Sequence, residues 1–247
     1  MFTRHSNLQM NRVLTFLVAL AMSLPVFAID ENEVRAVDVR DFDALVVSLS
    51  AKIDYQCSTS PYLELSGATK KLLESVEVIE KDGVLSLGMK KGASLQNIRR
   101  IRVRVGSRKI SRIDLPGAVN FRTHCPIRCE GDFSLAIAGA AEAEIAELEA
   151  NEVTLKLGGA GSMKVTDVQC KSMKSTVSGA GGLDVYGLNC AGLLDASVNG
   201  VGGATFEGRS DEAKLKLNGA GVIDVTKLDC KNVRSSVNGI GSIKTAD

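Results

Sequence analysis

Apolar and polar residues alternate in short runs along most of the chain, and the alternation restarts at a fixed interval. Five four-residue stretches carry it most clearly: Ser162-Met163-Lys164-Val165, Gly182-Leu183-Asp184-Val185, Gly203-Ala204-Thr205-Phe206, Val222-Ile223-Asp224-Val225 and Ser242-Ile243-Lys244-Thr245. A period of two marks a strand with one buried face. Met163, Leu183, Ala204, Ile223 and Ile243 therefore form one inward column, and Val165, Val185, Phe206 and Val225 the next. The outward position between them reads Glu144, Lys164, Asp184, Thr205, Asp224, Lys244. Its signs alternate at first, which favours correct stacking on a solvated face.

Each stretch follows a glycine pair. Gly139, Gly159, Gly179, Gly200, Gly219 and Gly239 lie 20, 20, 21, 19 and 20 residues apart, and in the last five copies a second glycine follows at Gly161, Gly181, Gly202, Gly221 and Gly241. The first copy, Gly139-Ala140-Ala141, is degenerate. A fixed period near twenty residues means one unit stacked repeatedly. A second strand precedes each pair, as at 153–157 and 213–217. The pattern predicts an all-β, single-stranded parallel β-helix, regular over 121–247, with two strands per rung joined by a glycine corner and a wider polar turn. Glycine suits that corner for two reasons: positive φ, and the closeness of the next rung. The middle corner residues, Ala160, Ala180, Val201, Ala220 and Ile240, are all apolar and are expected to point inward. Asn199, Asn218 and Asn238 precede the last three pairs and predict an amide ladder.

Residues 38–120 are strand-rich but less regular, with strands at 44–49, 63–65, 84–87 and 101–105. The strand at 84–87 follows an Asp82-Gly83 turn. Residues 68–75 read as a brief helix and 89–97 as an exposed basic loop. Nothing between 38 and 247 reads as a linker, so one domain is expected, preceded by a short segment at 29–37. Residues 1–28 read as a signal peptide: Arg4 and Arg12 precede an apolar run at 13–22 too short to span a bilayer, and small residues end at Ala28. Export to the periplasm, the outer-membrane surface or the exterior follows.

Without Arg4 and Arg12 the chain holds 28 basic against 29 acidic side chains, a charge of −1. That balance offers no overall attraction to nucleic acid or an anionic membrane. Six cysteines in an exported chain raise the question of disulfides. Aligning the repeats places Cys129, Ala150, Cys170, Cys190, Ser210 and Cys230 in one column of small residues, suited to a tight interior position. Spacing permits a Cys170–Cys190 bridge, while parallel side-chain directions oppose it. Cys57 and Cys125 lie outside the column, and their pairing is open.

Little in the chain points to catalysis or ligand chemistry. Gly-x-Gly recurs without the third glycine and precedes strands, so nucleotide-loop readings fail. His124, Cys125 and Cys129 lack a fourth metal ligand. Asp184 and Asp224 share a column two rungs apart, with no aromatic subsites; only Tyr55, Tyr62 and Tyr186 are available for stacking. No cofactor, metal or catalytic residue is expected.

Phe42-Asp43-Ala44 opening a strand, Val84-Leu85-Ser86-Leu87 after a Lys-Asp-Gly turn, and corners such as Ser178-Gly179-Ala180-Gly181 and Asn218-Gly219-Ala220-Gly221 give the chain a family likeness. Over roughly 38–246 it resembles the head GIN domain proteins, bacterial envelope proteins described as autotransporter adhesins. The resemblance implies a parallel β-helix like the pectin lyase-type solenoids, without their catalytic residues. This sequence departs from the family pattern at Gly139-Ala140-Ala141, in the cysteine column, and in having no lipobox cysteine. The expected function is a non-enzymatic interaction or adhesion module whose partner is a protein or glycan at the cell surface. Self-association through an end or edge is expected as well. The alternatives are a carbohydrate-active enzyme on the same scaffold and a purely structural periplasmic protein.

Overall fold

The computed structural model describes residues 33–93 and 101–246. The signal peptide expected at 1–28 and the end of the basic loop expected at 89–97 lie outside the described residues. The chain opens with β1 (Glu33–Val37), β2 (Ala44–Val47), β3 (Ala51–Cys57) and β4 (Tyr62–Gly67), then helix α1 (Lys70–Glu74), β5 (Val76–Lys81), β6 (Val84–Met89) and β7 (Arg102–Ser107). It continues through β8 (Arg112–Leu115), β9 (Val119–Thr123), β10 (Ile127–Arg128), β11 (Phe133–Ile137), β12 (Glu142–Ile145) and β13 (Leu148–Leu157). The remaining strands are β14 (Ala160–Thr166), β15 (Val168–Val177), β16 (Ala180–Val198), β17 (Gly203–Leu217), β18 (Val222–Val225), β19 (Leu228–Val237) and β20 (Ser242–Thr245). All are hydrogen-bonded into one sheet wound as a parallel solenoid of about seven turns.

Each regular turn has three strand segments rather than the two expected. A leading face is made of the strands before the glycine corner (β8, β11 and the second halves of β13, β15, β16, β17 and β19). A trailing face follows the corner (β9, β12, β14, the starts of β16 and β17, β18 and β20). The third, short face stacks β10 with residues such as Leu148, Val168, Leu188 and Leu228. What reads in sequence as a wide polar turn is this third segment, two or three residues long and too short for its alternation to register.

The predicted columns stack in register. Ala143 pairs with Met163, then Leu183, Ala204, Ile223 and Ile243, and all but the last are buried. Burying an aliphatic side chain of this size contributes about 1.5–3 kcal/mol, so the core gains stability turn by turn.

The corner glycines are there for one of the two expected reasons. A Cβ built on Gly159 would lie 1.9 Å from the Gly139 carbonyl oxygen, and one on Gly161 the same distance from that of Ala141. Gly179, Gly200, Gly219 and Gly239 meet the carbonyl of the preceding turn at 1.9–2.2 Å, as do Gly181, Gly202, Gly221 and Gly241. None of these has positive φ. Left-handed backbone occurs instead at Asp167 and Gly187, at the opposite corner, and at Gly208. The middle corner residues also contradict the expectation: Ala160, Ala180 and Ala220 are exposed, and Val201 and Ile240 are 68% and 87% accessible. Backbone-on-backbone stacking of the two glycines turns the residue between them outward.

The first turns are not stacked in chain order. The β2–β3 turn lies between the β8–β9 turn and a turn made by β6 and β7, so β4 to β7 belong to the outermost layer. Antiparallel strands close that end: β4 pairs with β7, β1 with β4 and β5 with β6. Asp82 and Gly83, both at positive φ, make the predicted β5–β6 hairpin turn. Helix α1, capped by Thr69 accepting from the Leu72 N–H at 3.2 Å, contributes the buried Leu72 and Leu73. Arg35 donates to the Leu73 and Val76 carbonyls beyond it. At the other end 231–242 are exposed, with Val233, Val237 and Ile240 on the surface.

Candidate binding surface

The small column forms as predicted: Ala150 pairs with Cys170, then Cys190, Ser210 and Cys230, and Cys129 continues it toward β10. Its polar members cap the adjoining corner. Cys190 donates to the Lys171 carbonyl at 3.8 Å, Ser210 to those of Gly192 and Glu212 at 3.0 and 2.8 Å, and Cys230 to that of Asn232 at 3.6 Å. Cys170 and Cys190 are free thiols on neighbouring turns. Interaction with the neighbouring Cys170 thiol draws the Cys190 pKa below the usual thiol range, and Cys170 itself is pushed up. Burial raises Cys129 to about 11. Cys190 is 1% exposed, so it offers no nucleophile to solvent.

The column is not wholly interior. Cys129 and Cys230 are half-buried, and small side chains at this corner leave a groove of about 410 Å³ over Cys129, Ala150, Cys170 and Ala191. Glu149, Asn151, Gln169, Lys171 and Asn189 line its walls. Gln169 and Asn189 are register partners on adjacent turns, both exposed, so the groove presents amides and charges at strand-to-strand spacing. The sequence signal was present as a polar residue on each side of every column member except Cys190, which Ala191 follows; reading the column as interior hid it.

On the trailing face, Glu144, Lys164, Asp184, Thr205, Asp224 and Lys244 are stacked as expected. Arg122 and Lys164 approach Glu144 at 3.5 and 4.0 Å, and Lys164 lies 5.9 Å from the Tyr186 ring centroid. Asp184 and Asp224 are two turns apart, with Thr205 between them. The Asp224 carboxylate accepts from the Thr226 N–H at 3.0 Å and its hydroxyl at 2.7 Å, and both hold its pKa below the usual carboxylate range. A general acid needs the opposite shift.

Cys57 and Cys125 are disulfide-bonded, with Cα atoms 5.9 Å apart. The bond removes Cys125 from the metal trio with His124 and Cys129 and from any role as nucleophile. His124 instead sits 3.0 Å from an Asp54 carboxylate oxygen. Tyr55 is fully buried, its hydroxyl 2.9 Å from Ser107, so it provides no stacking platform; Tyr62 and Tyr186 remain half-exposed.

The family model described as putative auto-transporter adhesin, head GIN domain, matches residues 41–206. The chain belongs to the head GIN domain family. Its fold recurs in a putative adhesin from Bacteroides fragilis, at TM-score 0.73 and 19% identity over 87% of this chain and 97% of that one. A putative adhesin from Parabacteroides distasonis gives the same TM-score and coverage at 17% identity. A putative lipid binding protein from the same species matches at TM-score 0.64 and 14% identity, again over 87% and 97%. No curated protein matches the chain. The GIN family match ends at 206, inside β17, yet the same columns and corners run on through β20.

Proposed function

We propose that this head GIN domain protein is an exported, non-enzymatic interaction module that presents its solenoid surface to a protein or glycan at the bacterial cell envelope. The observation that carries the reading is the groove along the cysteine column. Side chains with open hydrogen-bonding capacity recur there from turn to turn, as an extended ligand lying along the axis requires. The family description and the names of the structural neighbours support adhesion as the purpose of such binding. In a glycosidase pair Asp224, held as an anion by Thr226, could not be the acid half.

The test is a binding screen of the purified protein against envelope and host glycans and matrix proteins, with product analysis of every glycan that binds. The expected result is saturable binding with the ligand recovered intact, weakened by Gln169→Ala/Asn189→Ala. Ligand cleavage abolished by Asp184→Asn would overturn the proposal in favour of the enzyme.

A further inference from the structure

The trailing face neutralises itself, with cation set against anion from turn to turn. The leading face does not. Over its last five turns one outward column runs Thr154, Lys174, Asp195, Lys214, Arg234 and its neighbour Lys156, Thr176, Ser197, Lys216, Ser236. Lys214 and Arg234 are direct register partners, and Lys216 lies two residues from Lys214 on the same face. All five cations in the two columns are exposed, against the single half-buried carboxylate of Asp195. Glu152 and Glu212 stand one outward position before Thr154 and Lys214 on the same face, leaving five cations against three carboxylates. Among the described residues none of the five lies within ion-pair distance of a carboxylate. Like charges stacked on neighbouring strands repel, and with Asp195 between Lys174 and Lys214 this face still carries a net excess of positive charge despite the chain's near-zero net charge.

We propose that this strip binds an acidic polysaccharide. Its carboxylate or sulfate groups would be taken by Lys174, Lys214, Lys216 and Arg234, and its hydroxyls by Thr176 and Ser197. The proposal rests on the interaction-module reading and goes beyond the groove, adding a second surface with a ligand class of its own. The strip is two side chains wide and follows the solenoid axis, which fits a linear chain. The Asn199–Asn218–Asn238 ladder borders it, with Asn218 donating to Asn199 at 2.8 Å and Asn238 to Asn218 at 3.2 Å. Between the cations stand hydroxyls rather than the apolar or aromatic anchors that seat a protein on a bilayer. Nor does the strip hold an aromatic platform of the kind that stacks single-stranded bases.

The test uses the full chain and measures retention on immobilised polygalacturonate and heparin, with dextran as the neutral reference, across a salt titration. Saturable binding to one or both polyanions, falling steeply with salt and absent on dextran, is expected. Lys214→Gln/Lys216→Gln/Arg234→Gln should lose at least tenfold in affinity, and Lys156→Gln/Lys174→Gln at the other end of the strip should weaken binding in the same direction. Lys164→Gln on the trailing face should stay within twofold of wild type. The proposal is overturned if neither polyanion binds, if the triple variant binds as well as wild type, or if phosphatidylglycerol vesicles or single-stranded DNA of matched charge bind as tightly. Failure of both polyanions to bind while another partner does sinks the strip and leaves the interaction module intact; cleavage of the bound polysaccharide sinks the module itself.

Discussion

Replacing Gly159 with alanine tests the physical reason for the repeat. Its φ lies outside the left-handed region, so the backbone itself would accept alanine. Such a change ordinarily stabilises a protein by about 0.4–1 kcal/mol by restricting the unfolded chain. Here the added Cβ would meet the Gly139 carbonyl oxygen at 1.9 Å and that of Ala138 at 2.7 Å, and neither can swing aside as a side chain would. Overpacking of this kind costs about 1–3 kcal/mol. Separating the turns also lengthens the 3.2 Å hydrogen bond from the Ala160 N–H to the Gly139 carbonyl, at about 1 kcal/mol more. The net expectation is a loss of about 2–3 kcal/mol, a fall in Tm of roughly 4–12 °C for a chain of this size. Gly182→Ala is the comparator, since nothing lies within 4 Å of its Cβ position; it should be neutral or stabilising by about 0.5–1 kcal/mol. Urea and thermal unfolding followed by circular dichroism measure both. A Gly159→Ala protein as stable as wild type would refute steric stacking as the reason for the corners.

Four further outcomes follow from the geometry. Asn218→Ala removes both ladder hydrogen bonds and should cost about 1 kcal/mol in urea unfolding, most of it recovered by Gln only if the longer amide keeps register. Reducing or deleting the Cys57–Cys125 bond, which closes a separation of 68 residues, should destabilise the chain by about 4 kcal/mol on the chain-entropy estimate, read as a Tm difference with and without reductant. Cys170→Ala removes the neighbour that lowers the Cys190 pKa, so the Cys190 thiolate signal in the ultraviolet should appear at higher pH than in wild type. The outer edges of β19 and β20 are unpaired among the described residues, and Val233 and Val237 are exposed there. Concentration-dependent self-association should appear in sedimentation and weaken in Val233→Lys.

The regular half of the fold was legible because its signals are local and repeated. Period-two alternation fixed the inward columns from Met163 to Ile223, and the repeat length fixed their register. The amide ladder and the small column followed from the same alignment. The failures have equally specific causes. Apolar character at Ala160, Val201 and Ile240 suggested burial, yet two stacked glycines leave the residue between them nowhere to point but outward. Positive φ belongs to the opposite corner in the middle turns, at Asp167 and Gly187, and does not recur at a fixed residue type. The insertion of β2–β3 between later strands depends on antiparallel pairing by β4 and β5, to which no period in the sequence corresponds. Of the binding surface, the residues were visible but their arrangement was not. The cations of the leading face are scattered from Lys156 to Arg234, and only the register stacks Lys214 on Arg234.

The most direct test of the central claim, binding without chemistry, is mass analysis of a glycan ligand before and after prolonged incubation with a molar excess of the protein. The interaction-module account predicts an unchanged mass distribution and full recovery of bound ligand. Shorter products that accumulate with time, and fail to appear with Asp184→Asn, would contradict it.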